Sequence, residues 1–306
     1  MYKIKIASLL PSATEICCAL GLKEHLVAVS HECDFPEGLQ HIPRITSSII
    51  PPNLDQKEID IFVKQAMKKG LSLYSVDEEK LNALQPDIIV TQGLCSVCAV
   101  SETTIEAALR GNVCQLPITT KVISFAGLSF ESICNDIRLL ANMTNKEAEA
   151  EVYITDEKQK WESVSKKRNE SILLLEWIDP YFSAGHWVPE QISKAGFTSS
   201  IGTSKDVSRG MSSEEIAQSQ ALGIGVICCG FNLEQNIKFA QKLYDDPALA
   251  HLKAIQTQNV WAFDANSYFS RPTLRIRKGA ELLHLAFSEN TEVPTCSKRV
   301  PSKTSS

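Results

Sequence analysis

A chain of 306 residues that is 43% hydrophobic can bury a sizeable core, and its length fits two domains or one bilobal one. With 31 Lys and Arg against 36 Asp and Glu, the formal net charge is −5, which argues against the basic field that nucleic-acid binding needs. No apolar run reaches the roughly 18 residues of a membrane-spanning helix, so no membrane insertion is expected.

The amino terminus, "MYKIKIASLLPSATEICCALG", has neither a separate apolar h-region nor an A-x-A-like cleavage site. It reads as the first strand of the fold, over residues 3–10. The chain is therefore expected to be unprocessed and cytoplasmic, with its ten cysteines present as thiols and not as a disulfide framework. Ser12 and Glu15 suggest a capping box for a helix that stops at Gly21. A strand follows over 26–30, ending in the polar loop "HECDFPEG". Pro51, Pro52 and Asn53 break the chain before an amphipathic helix over 55–69. Next come a strand at "LSLYSV", a helix opened by Asp77, the strand "IIVTQ", a helix over 103–109, the strand "KVISF" and a helix over 129–141. Short apolar strands alternating with helices point to a parallel sheet.

The next stretch, 144–168, is dense in charge but carries Ala150, Ile154, Trp161 and Val164 near helical spacing. It reads as one half-exposed helix of about 35 Å at 1.5 Å per residue, opened by Thr144 and Glu147. The βα pattern then resumes with the strand "SILLLEW", helices at "VPEQISKAG" and "SSEEIAQSQ", and the strand "GIGVICC". The helix "LEQNIKFAQKLYDD", the strand "NVWAFDA" and a closing helix over 271–287 complete it. In that last helix Arg271, Arg275 and Lys278 have the spacing of a solvated face. The division expected is an αβ lobe over 1–143, a linking spine helix over 144–168, a second αβ lobe over 169–288 and a disordered tail over 289–306.

In parallel αβ sheets, ligands bind outside the carboxyl ends of the strands. The unusual residues of this chain fall there. In "QGLCSVC", Cys95 and Cys98 form a CxxC, which in a reducing compartment suggests metal or redox work. One CxxC is half of a zinc site, and Cys33, Cys229, His31 and His186 are the available partners. Soft thiolates would select zinc, copper(I) or an iron–sulfur centre over magnesium or calcium. The competing reading is that these cysteines are small packed hydrophobes. Cys17, Cys18, Cys114, Cys134 and Cys228 lie among apolar neighbours and read as core. In "EWIDPYFSAGHW", Glu176, Trp177, His186 and Trp187 combine a carboxylate, an imidazole and two indoles, a wall that suits a flat ligand. Tyr268, Phe269 and Arg271 place aromatic faces beside a guanidinium fitted to a carboxylate or phosphate. Core packing at the lobe's edge is the alternative for the first group; for the second it is that Arg271 merely complements local carboxylates. The motifs G-x-x-x-x-G-K-[ST], G-x-S-x-G and H-E-x-x-H do not occur.

Taken in order, "SLLPSATE", "SHECDFP", "LCSVCAV", "AGHWVPE", "CGF" and "YFSRP" resemble segments of the helical-backbone solute-binding proteins of ABC transporters. The resemblance is to the cobalamin/iron-siderophore branch, within it to a cobalamin-binding subgroup with this cysteine motif, and it covers about residues 3–288. It implies an α/β fold of two Rossmann-like lobes joined by one long spine helix, with a ligand cleft between the lobes. It also implies non-catalytic binding of a small molecule, cobalamin-like or a metal chelate. A chain kept in the cytoplasm cannot scavenge outside the membrane, so an ABC permease partner is doubtful without export. The rival from another class is a cytosolic enzyme that uses a thiolate-bound metal, zinc or iron, or a reactive thiol in the same cleft. A third reading is an interaction protein with a degenerate cleft.

Overall fold

A computed structural model describes residues 3–92, 116–164, 168–204 and 206–303. The chain divides into two compact units, one made of Met1–Gly127 with Glu131–Ile154, the other of Leu128–Phe130 with Thr155–Ser306.

In the first unit the apolar runs become strands β1 (Ile6–Ser8) and β2 (Leu26–Val29), and later β5 (Ile88–Gln92) and β6 (Lys121–Phe125). They form a sheet in the order β2-β1-β5-β6, with every neighbouring pair parallel. Residues such as Ala7, Ala28 and Ile89 are fully buried, as expected of parallel strands covered on both faces. Strands β3 (Thr46–Ser48) and β4 (Tyr74–Val76) make a separate antiparallel ribbon. The helices between are α1 (Pro11–Ala19), α2 (Gln56–Lys68) and α3 (Glu78–Leu84). Asp55 caps α2 in a complete capping box with Glu58, and Asp77 caps α3. The box expected of Ser12 and Glu15 is absent. Pro11 already occupies the first helical turn, so Ser12 sits inside the helix and Leu10 is its N-cap, without a side-chain bond.

The spine helix expected over 144–168 is shorter than its charge pattern suggested. Helix α4 (Phe130–Thr144) ends at Thr144, whose hydroxyl donates back to the Leu140 and Ala141 carbonyls. Asn145 then takes φ +54, and α5 (Glu147–Glu162) starts afresh. Thr144 thus closes one helix and does not open the next. Residues 165–167 lie outside the described residues, as does the helix expected over 103–109.

The second unit is built on β7 (Ser171–Ile178), β10 (Gly223–Val226) and β11 (Val260–Phe263), parallel to one another. Leu173, Leu175, Ile224 and Val226 form the centre of its core at no more than 0% exposure each. Burial of one such side chain stabilises by roughly 1.5–3 kcal/mol. Strands β8 (Tyr181–Ser183) and β9 (Thr198–Ser199) pair with β7, antiparallel and parallel respectively. Around the sheet lie α6 (Val188–Lys194), α7 (Ser213–Gln218), α8 (Leu233–Lys242), α9 (Lys253–Gln256), α10 (Ala265–Tyr268) and α11 (Ile276–Glu289).

Two expectations are corrected here. The tail over 289–306 is not without order: β12 (Ser297–Arg299) runs antiparallel to β11, and Val300 is buried. Its short alternating segment is polar on the outward side, so composition alone hid it. The closing helix begins at Ile276, not at 271. Arg271 is therefore off the helix and only 7% exposed, in place of the solvated face its spacing suggested.

Candidate functional site

The parallel strands of the second unit end at Ile178, Val226 and Phe263, and the loops that leave those ends are stitched to one another. The Cys229 N–H donates to the Glu176 carbonyl at 3.2 Å, and the Asn266 N–H donates to the Phe231 carbonyl at 3.1 Å. Gly230 N–H reaches Ser270 Oγ at 3.2 Å, and the Trp187 indole N–H reaches the Phe269 carbonyl at 3.1 Å. Trp177 and Phe231 stack at a tilt with ring centroids 5.6 Å apart. Glu176, Trp177, His186, Trp187, Cys229, Tyr268, Phe269 and Arg271 therefore share the carboxyl end of one sheet, where a parallel sheet holds ligands.

Within that group the roles divide. Trp187, Phe269 and Arg271 are buried and tie loops together. Phe269 packs edge-on against Phe263, and Arg271 donates from Nη2 to Asn266 Oδ1 at 3.1 Å. Trp177, His186 and Tyr268 keep part of their surface open, and Cys229 is exposed. Tyr268 carries the Arg275 guanidinium 5.2 Å from its ring centroid, and Cys296 approaches its hydroxyl at 3.6 Å.

The segment expected as an irregular loop is a β-hairpin, with Trp177 on β7 opposite Phe182 on β8. Past it, His186 takes φ +55, a left-handed conformation that a non-glycine residue adopts at a cost of order 1 kcal/mol. Its N–H donates to the Asp206 carbonyl at 2.6 Å, which holds the loop in that shape. Its ring lies 5.8 Å from that of Trp187, and its two nitrogens take no hydrogen bond among the described residues. Burial lowers its basicity below the ordinary imidazole value.

Glu176 has its carboxylate engaged by the protein. Oε1 accepts the Gly185 N–H at 3.1 Å, and Oε2 accepts the Ser208 hydroxyl. Close enclosure raises its pKa from 4.5 to about 7 against those two bonds. Ser208 was not foreseen from the sequence, since a lone serine in a Gly- and Ser-containing loop carries no periodic or motif signal.

In the first unit helix α1 meets the loop after β2. Cys33 is 2% exposed, with Sγ 3.1 Å from Thr14 Oγ1, which in turn donates to Ser8 Oγ at 2.8 Å. His31 is exposed, and its Nδ1 lies 2.7 Å from Thr46 Oγ1 on β3. Cys95 and Cys98 lie outside the described residues. Cys33 belongs to the first unit and Cys229 to the second. Among the described residues, no group of three or more His, Cys, Asp or Glu side chains is arranged to hold a metal ion. Of the described cysteines, Cys17, Cys33, Cys134 and Cys228 are buried. No helix among the described residues is long and apolar enough to cross a membrane.

This architecture is shared with known proteins. An ABC transporter substrate-binding protein from Listeria monocytogenes EGD-e is similar at 16% identity and a TM-score of 0.70, over 94% of this chain and 100% of that one. The periplasmic vitamin B12 binding protein of Vibrio cholerae is similar at 20% identity and a TM-score of 0.63, over 94% and 98%. The periplasmic heme binding protein of Vibrio cholerae is similar at 19% identity and a TM-score of 0.68, over 94% and 100%. No curated protein matches the chain. The family model described as periplasmic binding protein matches residues 6–266, which takes in β1 through to the start of α10. By that match, which agrees with the resemblance carried by the motifs, the chain belongs to the periplasmic binding protein family.

Proposed function

We propose that this protein binds a flat, metal-containing small molecule, a corrinoid or a related chelate, and does no chemistry on it. The observation that carries the reading is His186. A histidine held at φ +55, with both ring nitrogens unbonded among the described residues, is strain kept in a loop beside the buried Trp187 indole, at the sheet end that also carries the part-open Trp177. Indole faces supply apolar contact for a planar ring system, and an imidazole supplies one oriented polar handle. The similar structures named for vitamin B12 and heme are in keeping with such a ligand. We further propose a cytoplasmic location, in keeping with the free thiols of Cys17, Cys18 and Cys296.

Titration of the full chain with aquocobalamin and with hemin, followed by visible absorbance, tests this. A saturable shift in either spectrum is expected. No shift with either probe, together with zinc or iron that co-purifies at one per chain, would instead favour an enzyme built on Cys95 and Cys98.

A further inference from the structure

Helix α1 opens just past the carboxyl end of β1 with three hydrogen-bond donors that the protein does not use. Pro11 holds the first helical position and brings no N–H. The Thr14 N–H donates to the Leu10 carbonyl at 3.3 Å. Between them, the Ser12 and Ala13 N–H groups meet no acceptor among the described residues, and no side chain caps the helix. Ser12 Oγ is likewise without a partner, in a residue only 2% exposed, and Ala13 is fully buried. Helical side chains lean back toward the amino end, so the Ser12 hydroxyl stands beside those two N–H groups.

The bonds around this turn hold it in place without spending the three donors. Ser8 Oγ donates to the Leu10 carbonyl at 3.1 Å, and Thr14 Oγ1 donates to Ser8 Oγ at 2.8 Å. Thr14 Oγ1 also lies 3.1 Å from Cys33 Sγ, which pins the helix start to the loop after β2. Native interiors rarely leave a buried donor unpaired, because its lost hydration is then not repaid. Here three stand together at the positive end of a helix dipole, with no acidic residue in the first turn.

We infer that the start of α1 is a binding site for a tetrahedral oxyanion of the phosphate or sulfate type. The Ser12 and Ala13 N–H groups and the Ser12 hydroxyl hold it. Three donors around a helix end match three oxygens of a tetrahedral anion, whereas a carboxylate offers two. All three donors are neutral, so the anion is held by hydrogen bonds and the helix dipole. Glu15 lies one turn further along the same side of the helix, where a carboxylate opposes the bound charge. The site belongs to the first unit alone and does not depend on the reading of the chelate.

The test titrates the full chain at pH 7 with sodium phosphate, sodium sulfate and sodium acetate at constant ionic strength. Binding is read from the amide NMR signals of Ser12 and Ala13 and from the melting temperature. Phosphate, sulfate or both should shift the two amides saturably and raise Tm, and acetate should bind at least tenfold more weakly. Ser12→Ala should weaken the binding about tenfold, the loss of one hydrogen bond. It should also raise the Tm of the anion-free chain by about 2–4 °C, because it removes a buried hydroxyl that has no partner. Glu15→Gln should bind the anion more tightly. Amides that move with none of the three salts, or Ser12→Ala binding like wild type, would overturn the assignment and leave the donors to a resident water. Acetate binding as well as phosphate would overturn the tetrahedral class. Failure here leaves the corrinoid titration untouched, and a failed corrinoid titration leaves this site untouched.

Discussion

The Glu176 carboxylate holds the Gly185 N–H at 3.1 Å, across nine positions of chain that include the whole β7–β8 hairpin turn. With Ser208 on its other oxygen, this one side chain fastens two loops beside His186. Its acidity makes the fastening sensitive to pH. Enclosure raises the pKa from 4.5 to about 7, so between those values the folded chain holds a proton that the unfolded chain has released. Raising the pH through this window therefore favours unfolding. Stability from this group is complete below about 4.5 and lost above about 7. Asp136, which accepts the Ala126 N–H at 3.0 Å and is raised from 3.8 to about 7 by burial, acts in the same direction. The urea midpoint should fall from pH 5 to pH 8, and Glu176→Gln should flatten part of that fall. An unchanged slope in this variant would show that Glu176 ionises normally.

The left-handed backbone at His186 separates two effects that a single substitution would mix. His186→Ala and His186→Gly both remove the imidazole, but only glycine relieves the φ of +55. The glycine variant should be more stable than the alanine variant by about 1 kcal/mol, or about 2–4 °C in Tm. Both should lose affinity for a corrinoid probe. Equal melting temperatures would mean that the loop relaxes and stores no strain.

Gly279 on α11 lies where any side chain meets protein. A Cβ there would overlap Gln191 Nε2 and stand 2.7 Å from the Tyr268 carbonyl oxygen. Gln191 is fully buried, and its Nε2 donates to the Tyr268 and Ile276 carbonyls at 3.0 and 2.8 Å. Gly279→Ala should cost about 1–3 kcal/mol by overpacking. It should also shift the Tyr268 loop, read out as a change in near-ultraviolet circular dichroism. A variant as stable as wild type, with an unchanged spectrum, would rule out this close packing.

Thiol reactivity should follow burial. Iodoacetamide at pH 8, with labelled sites mapped by mass spectrometry, should modify Cys229 in the native chain. Cys17, Cys33, Cys134 and Cys228 should react only after unfolding. Cys18 should be slow, because burial pushes its thiol up to about 11. Rapid native labelling of Cys33 would show that the loop after β2 opens in solution.

Strand and helix identity were legible in the sequence wherever one periodic pattern ran uninterrupted, as in "IIVTQ" for β5 or Asp55 before α2. The placement of the polar loops after strand ends was legible for the same reason, since parallel αβ units put those loops on one side. Thr144 was misread because a threonine before a charged run looks the same whether it closes a helix or opens one, and only the φ of Asn145 decides. Strand β12 was invisible because three polar residues become a strand only through their partner β11. The site followed the same rule. Chemistry-bearing residues such as Glu176, His186 and His31 announced themselves by type. That Glu176 is spent on Gly185 and Ser208, and that His31 rests on Thr46, depends on hydrogen bonds to residues distant in sequence. Those partners are small hydroxyls and backbone groups, whose roles are set by where the fold brings them and not by what they are.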